Sequence, residues 1–121
     1  MKHKHTILIV DDEYLTGLSL SDELREHGYA IVGPYTTTKE AEAALETECP
    51  DLAFLDVNLG KGRNSFDLGS KLMERGVKLV FLTGYSELPS DNEDFADTSV
   101  LSKPVPIKAA LTEIRAQLAS V

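Results

Sequence analysis

A chain of 121 residues, 42% hydrophobic and 26% charged, has the size and balance of one globular domain, with no room for a second core. Its net charge of −8 argues against a partner such as nucleic acid, whose affinity comes from clustered Lys and Arg, and favours a cationic partner or a bound metal cation. The single cysteine excludes an internal disulfide, and no stretch reaches the roughly 20 apolar residues that a membrane helix needs.

In chain order, the N-terminus MKHKHTILIV carries two lysines, and its apolar run meets acid after Val10 instead of continuing as a signal sequence, which places the chain in the cytoplasm. His3 and His5 read as a solvated tail, because a metal site needs further ligands. TILIV (Thr6 to Val10) is a short apolar strand. Leu15, Leu18, Leu20 and Leu24 then recur at helical spacing before Gly28, and with Tyr14 they are expected to be mostly core. His27 is expected at that helix's C-terminus, facing its dipole. AIVG (Ala30 to Gly33) is a second strand. The capping-box pattern Thr37-x-x-Glu40 opens a helix with Ala41, Ala44 and Leu45 on one stripe. Cys49, just before Pro50-Asp51, reads as a buried or half-buried thiol at a helix end.

LAFLDV (Leu52 to Val57) is the third apolar run, followed by a helix that starts near Ser65, carries Phe66, Leu68, Leu72 and Met73, and stops at Gly76. KLVFLT (Lys78 to Thr83) is the fourth. Between Gly84 and Asp97 the acidic, proline-interrupted segment YSELPSDNEDFA predicts a fourth helix that is short, displaced or mobile. TSVLS (Thr98 to Ser102) is the fifth run, and Pro106 is a favoured first helical position ahead of Ile107, Leu111, Ile114 and Leu118. Strands that are apolar throughout are buried on both faces. The alternation therefore predicts one α/β domain over residues 1–121, a five-stranded parallel sheet doubly wound by helices.

Open α/β sheets bind ligands beyond the carboxyl ends of their strands. The first run ends on Asp11-Asp12-Glu13, the third on Asp56, the fourth on Thr83 and the fifth on Lys103. Carboxylates brought together this way repel one another unless a hard divalent cation with oxygen ligands, Mg²⁺ or Mn²⁺, is present. Asp56 can then act as a nucleophile towards phosphorus, while the Thr83 hydroxyl and Lys103 ammonium contact phosphoryl oxygens that the metal does not reach. Gly84 keeps a side chain from narrowing the approach. Alone, Asp11 and Asp12 would read as turn formers, Thr83 as a hydroxyl bonded to backbone, and Lys103-Pro104 as the start of an ordinary helix. Asp56 resists such a reading, since an unpaired carboxylate ending a buried strand is costly, and the bland readings would all have to hold together.

As a set, VDDE (Val10 to Glu13), FLDVNL (Phe54 to Leu59), FLTGY (Phe81 to Tyr85) and LSKPV (Leu101 to Val105) resemble the receiver domain of two-component response regulators, over the whole chain. That resemblance implies a flavodoxin-like (βα)5 fold, Asp56 as phosphoacceptor, and Asp11 and Asp12 as the acidic pair holding Mg²⁺. Asn58 would add its backbone carbonyl to the metal, Thr83 would be the switch hydroxyl, and Lys103 would pair with the phosphoryl group, followed by a cis peptide bond to Pro104. It also implies a sensor histidine kinase or histidine phosphotransfer protein as partner, docking on the exposed face of the first helix.

Three departures refine the resemblance. Val100 stands three residues before the lysine, where many receivers carry an aromatic ring that swings inwards with the threonine, so that switch cannot operate in its ordinary form. The loop NLGKGRNSFDL has Gly60 where a proline is usual, and Gly60 and Gly62 loosen it. The fourth unit is acidic and proline-interrupted. Together these features resemble a subgroup of single-domain receivers from alphaproteobacteria, named for a motif close to Phe-Ala-Thr-Gly-x-Tyr, of which FLTGYS is a variant with Leu82 for the alanine and Tyr85 one place early. The subgroup implies a kinase of the HWE or a closely related class, and output through altered mobility around residues 84 to 97.

The expected function is thus a phosphoacceptor module of a phosphorelay, not an enzyme beyond its own phosphorylation and dephosphorylation. With no output domain after Val121, it would act on another protein or drain phosphate from a kinase. Asn58 and Tyr85 would flank the attacking water and tune the lifetime of the phosphoryl group, while Lys61 and Arg63 read as solvated loop charges. The competing expectation is a small-molecule phosphatase or phosphotransferase working through an aspartyl phosphate, disfavoured because the sequence offers neither a second acid placed for acid-base work nor a cap segment.

Overall fold

A computed structural model describes residues 5–57, 65–84 and 98–118. The order of elements is β1 (Thr6–Val10), α1 (Tyr14–Glu26), β2 (Ala30–Tyr35), α2 (Thr38–Ala44), β3 (Leu52–Asp56), α3 (Phe66–Glu74), β4 (Lys78–Thr83), β5 (Ser99–Ser102) and α4 (Ile107–Leu118). All strand pairs are parallel, in the order β2-β1-β3-β4-β5. The strand order reverses between β1 and β3, and a crevice opens there at the carboxyl edge of the sheet.

Of the central strands, β3 is buried from end to end and β1 and β4 are buried after their first residues, Thr6 and Lys78, as their apolar runs require. Alternate side chains feed two cores. On one face Leu8, Val10, Ala53, Leu55, Leu79 and Phe81 pack under α2 and α3; on the other Ile7, Ile9, Leu52, Phe54, Val80 and Leu82 pack under α1 and α4. The helix stripes predicted from spacing supply the matching surfaces, with Leu20 and Leu24 of α1, Ala41 of α2, Leu68 and Leu72 of α3, and Leu111, Ile114 and Leu118 of α4 all buried. Thr37 caps α2 as expected, its hydroxyl accepting the Glu40 amide at 3.2 Å. His27 ends α1, its Nδ1 lying 2.9 Å from the Glu23 carbonyl.

The structure corrects the sequence at several places. Leu15 is 77% exposed and Tyr14 51%, because both project from the first turn of α1, at the open edge of the sheet and clear of the strands beneath. Cys49 is exposed: α2 stops at Ala44, and the chain then turns over the surface before re-entering at Pro50. His5 lies beside the N-terminal edge of the sheet, 3.7 Å from the Asp51 carboxylate, instead of in a free tail. Strand β2 runs through Pro34 to Tyr35, which an edge strand tolerates since a missing N–H there costs no central ladder bond. Gly33 makes that passage possible. It sits at φ +103°, and a Cβ there would lie 2.8 Å from the Ile9 carbonyl oxygen. The predicted helix between Gly84 and Asp97 falls outside the described residues.

Candidate functional site

Strands β1, β3 and β5 are each tied one backbone bond past their last paired residue. The Asp11 amide donates to the Tyr35 carbonyl at 2.9 Å, the Val57 amide, next to Asp56, to the Leu82 carbonyl at 2.8 Å, and the Lys103 amide to the Thr83 carbonyl at 2.8 Å. These bonds fix where the side chains start. Asp11 is 1% exposed, Asp56 3% and Thr83 4%, whereas Asp12 faces solvent.

The residues from β1, β3 and β5 converge. The Lys103 ammonium lies 3.1 Å from Asp11 Oδ1, 3.0 Å from Asp56 Oδ2 and 3.0 Å from Glu13 Oε1. Carboxylate oxygens of Asp11, Asp12 and Asp56 come within 4.8 Å of one another. Three carboxylates therefore share one ammonium, with the Asp12 carboxylate beside them. Burial alone would push the lysine's pKa down, but its hydrogen bonds with Asp56, Glu13 and Asp11 outweigh that and hold it above the usual lysine range. Burial, then hydrogen bonding and repulsion from Asp56, push the Asp12 carboxyl above its ordinary range, and Lys103 offsets only part of this.

The donor set fits a hard divalent cation. Asp11 Oδ2 is buried and has no hydrogen-bond partner, an acceptor left open beside the oxygens of Asp12 and Asp56. An all-oxygen carboxylate cluster suits Mg²⁺ or Mn²⁺, which when bound would cancel the charge that one lysine leaves over.

Other expected site residues are placed as follows. Thr83 ends β4, the strand beside β3. Gly84 follows it, exposed, and a Cβ there would meet no atom within 4 Å. Val100 pairs with Phe81 on β4 and packs, half-buried, against the core where Phe66 and Phe81 meet edge to face. The Lys103-Pro104 bond is cis. Asn58, Tyr85, Lys61 and Arg63 lie outside the described residues. Sequence reasoning assigned no role to Glu13; nothing in an acid following two others tells which way it turns. A groove of about 320 Å³ opens beside the cluster, lined by Asp11, Leu15, Leu20, Leu82, Pro104 and Val105.

Comparison with known proteins points one way. The family described as "Response regulator receiver domain" matches residues 7–115. Among curated relatives, the transcriptional regulatory protein PdtaR of Mycobacterium tuberculosis is 32% identical over 111 residues, 89% of this chain and 54% of that protein. The chain thus spans about half the length of that relative. Among solved structures, SdrG from Sphingomonas melonis Fr1 is 36% identical with a TM-score of 0.81, covering 98% of this chain and 99% of that one. The receiver domain of Erythrobacter litoralis PhyR is 27% identical with a TM-score of 0.84, covering 96% and 91%.

Proposed function

The chain belongs to the response regulator receiver family of two-component signalling, and from that premise we propose that Asp56 is its phosphoacceptor. The observation that carries the reading is the pairing of a nearly fully buried aspartate at the end of β3 with the Lys103 ammonium, 3.0 Å away, beside two further aspartates. A carboxylate oxygen of Asp56 attacks the phosphorus of a phosphohistidine; the P–N bond breaks, an O–P bond forms, and the leaving imidazole takes its proton from solvent. Asp11, Asp12 and Asp56, together with Asn58, would hold a Mg²⁺ or Mn²⁺ ion, which would supply charge neutralisation at the phosphoryl oxygens. Lys103 transfers its ion pair from the Asp56 carboxylate to a phosphoryl oxygen, and the Thr83 hydroxyl donates to another.

Receiver domains work with histidine kinases or phosphotransfer proteins. For this chain we assign docking to the exposed start of α1 with Leu15 and the adjoining groove, and the donor to a cytoplasmic kinase of the HWE or a related class, on the strength of the FLTGYS motif. Among the described residues no helix is long and apolar enough to cross a membrane. The product is a changed binding surface or a drained kinase, with Val100 in place of a swinging ring.

The test is incubation with Mg²⁺ and acetyl phosphate. One phosphoryl adduct, labile to hydroxylamine and absent in Asp56→Asn, is expected by intact-protein mass spectrometry. Rapid multiple turnover of assorted phosphate esters would instead establish the small-molecule phosphatase reading.

A further inference from the structure

Glu13 occupies the N-cap of α1, where a short side chain ordinarily accepts a hydrogen bond from the first helical amides. It makes no such bond. Its carboxylate turns instead to the Lys103 ammonium at 3.0 Å, although the side chain is 65% exposed and free to extend into water. Its backbone is committed to the same cluster: the Glu13 amide donates at 2.9 Å to Asp11 Oδ1, the very oxygen that accepts from Lys103 at 3.1 Å. Lys103 therefore has two buried partners, Asp11 and Asp56, and one partner at the rim.

The two inner partners are the ones a cation needs. An ammonium resting on Asp11 and Asp56 competes with Mg²⁺ for their oxygens, and one drawn towards the rim competes less. We propose that Glu13 is a positioning residue that draws Lys103 outward, so that the lysine yields Asp11 and Asp56 to the metal while keeping a counter-ion of its own. The inference rests on the assignment of the carboxylate cluster as the metal site, and it adds a residue that sets how readily that site fills. Glu13 is not among the clustered carboxylates and pairs with Lys103, through which it acts in this proposal.

A plain charge effect makes a rival prediction, because removing any nearby negative charge weakens cation binding. A double-mutant cycle separates the two. Mg²⁺ affinity is measured by amide NMR titration for the wild type, Glu13→Gln, Lys103→Met and the double variant, with Glu13→Asp as the conservative control. The expected result is a loss of about threefold to fivefold in Glu13→Gln, the scale of an exposed ion pair, partial recovery in Glu13→Asp, and less than a twofold change when Glu13→Gln is added to Lys103→Met. An equal loss in both backgrounds, or none in either, overturns the proposal. The phosphoacceptor reading fails separately: absence of an adduct on Asp56 while the Mg²⁺ cycle shows coupling removes that reading and leaves the role of Glu13 standing.

Discussion

The Lys103 ammonium sits 3.0 Å from the Asp56 carboxylate, so the group assigned to receive phosphorus is engaged by the group assigned to hold it. This pair offsets the cost of burying Asp56 at the end of a strand exposed to no solvent on either face. Lys103→Met strands Asp56 and Asp11 without their cation, and a loss of about 1–3 kcal/mol is expected in urea unfolding at neutral pH. Excess Mg²⁺ should recover much of it. The lysine's folded pKa lies above its ordinary value of 10.5, so its contribution is complete below about pH 10 and disappears as pH rises through the folded value. The wild-type advantage should accordingly hold from neutral pH to about pH 10 and shrink only in stronger alkali.

Asp12 has the opposite sign. Its carboxyl is raised above the ordinary value, so ionising it costs the folded state free energy at every pH above its folded pKa. Asp12→Asn should therefore make the metal-free protein more stable at pH 7, by no more than about 1 kcal/mol given its exposure. That difference should vanish as pH falls below the unfolded value of 3.8, where both forms are neutral. A variant less stable than wild type without metal would show that Asp12 is not under repulsion.

Filling the cluster should stabilise the fold by linkage. Mg²⁺ at ten times its dissociation constant contributes about 1.4 kcal/mol, a rise in Tm of about 3–6 °C for a domain of this size. Differential scanning calorimetry should show the rise in wild type and little or none in Asp11→Asn, Asp12→Asn or Asp56→Asn. A rise of the same size in all of them would place the ion elsewhere.

Gly33 ties the fold to the site. At φ +103°, with a Cβ position 2.8 Å from the Ile9 carbonyl oxygen and 2.9 Å from the Tyr35 amide, it has no room for alanine. Gly33→Ala should cost about 2–4 kcal/mol. Because the Tyr35 carbonyl holds the Asp11 amide, the variant should also bind Mg²⁺ more weakly even where it is still folded. Unfolding within about 0.5 kcal/mol of wild type would contradict the turn geometry.

Sequence periodicity revealed the fold because burial dictates it: runs such as Leu79 to Leu82 have no polar face, and only a sheet covered on both sides hides them. The site was legible for a related reason. Asp56 and Lys103 sit where apolar strands stop, so an ionisable residue there has few structural explanations. What stayed hidden depends on direction. Helical spacing made Leu15 look like core, but a first-turn position overhangs the sheet edge. The helix expected to start near Ser65 does so at Phe66, but at φ −97° and ψ 9° the Ser65 hydroxyl makes no cap bond and lies buried without a partner, which no sequence pattern signals. Glu13 is the clearest case, since the choice between its own helix and Lys103 is made by side-chain rotation alone.

The single amide bond from Lys103 to the Thr83 carbonyl carries a mechanical implication. Hydroxyl and ammonium are two fingers on one knuckle, and whatever slides β5 along β4 resets both together. Val100 and Ser99, which pair with Phe81 and Val80 well away from the carboxylates, therefore sit on the lever arm of that knuckle. If Thr83 and Lys103 hold the phosphoryl group as proposed, changes made there should be felt in that grip without any altered atom reaching it.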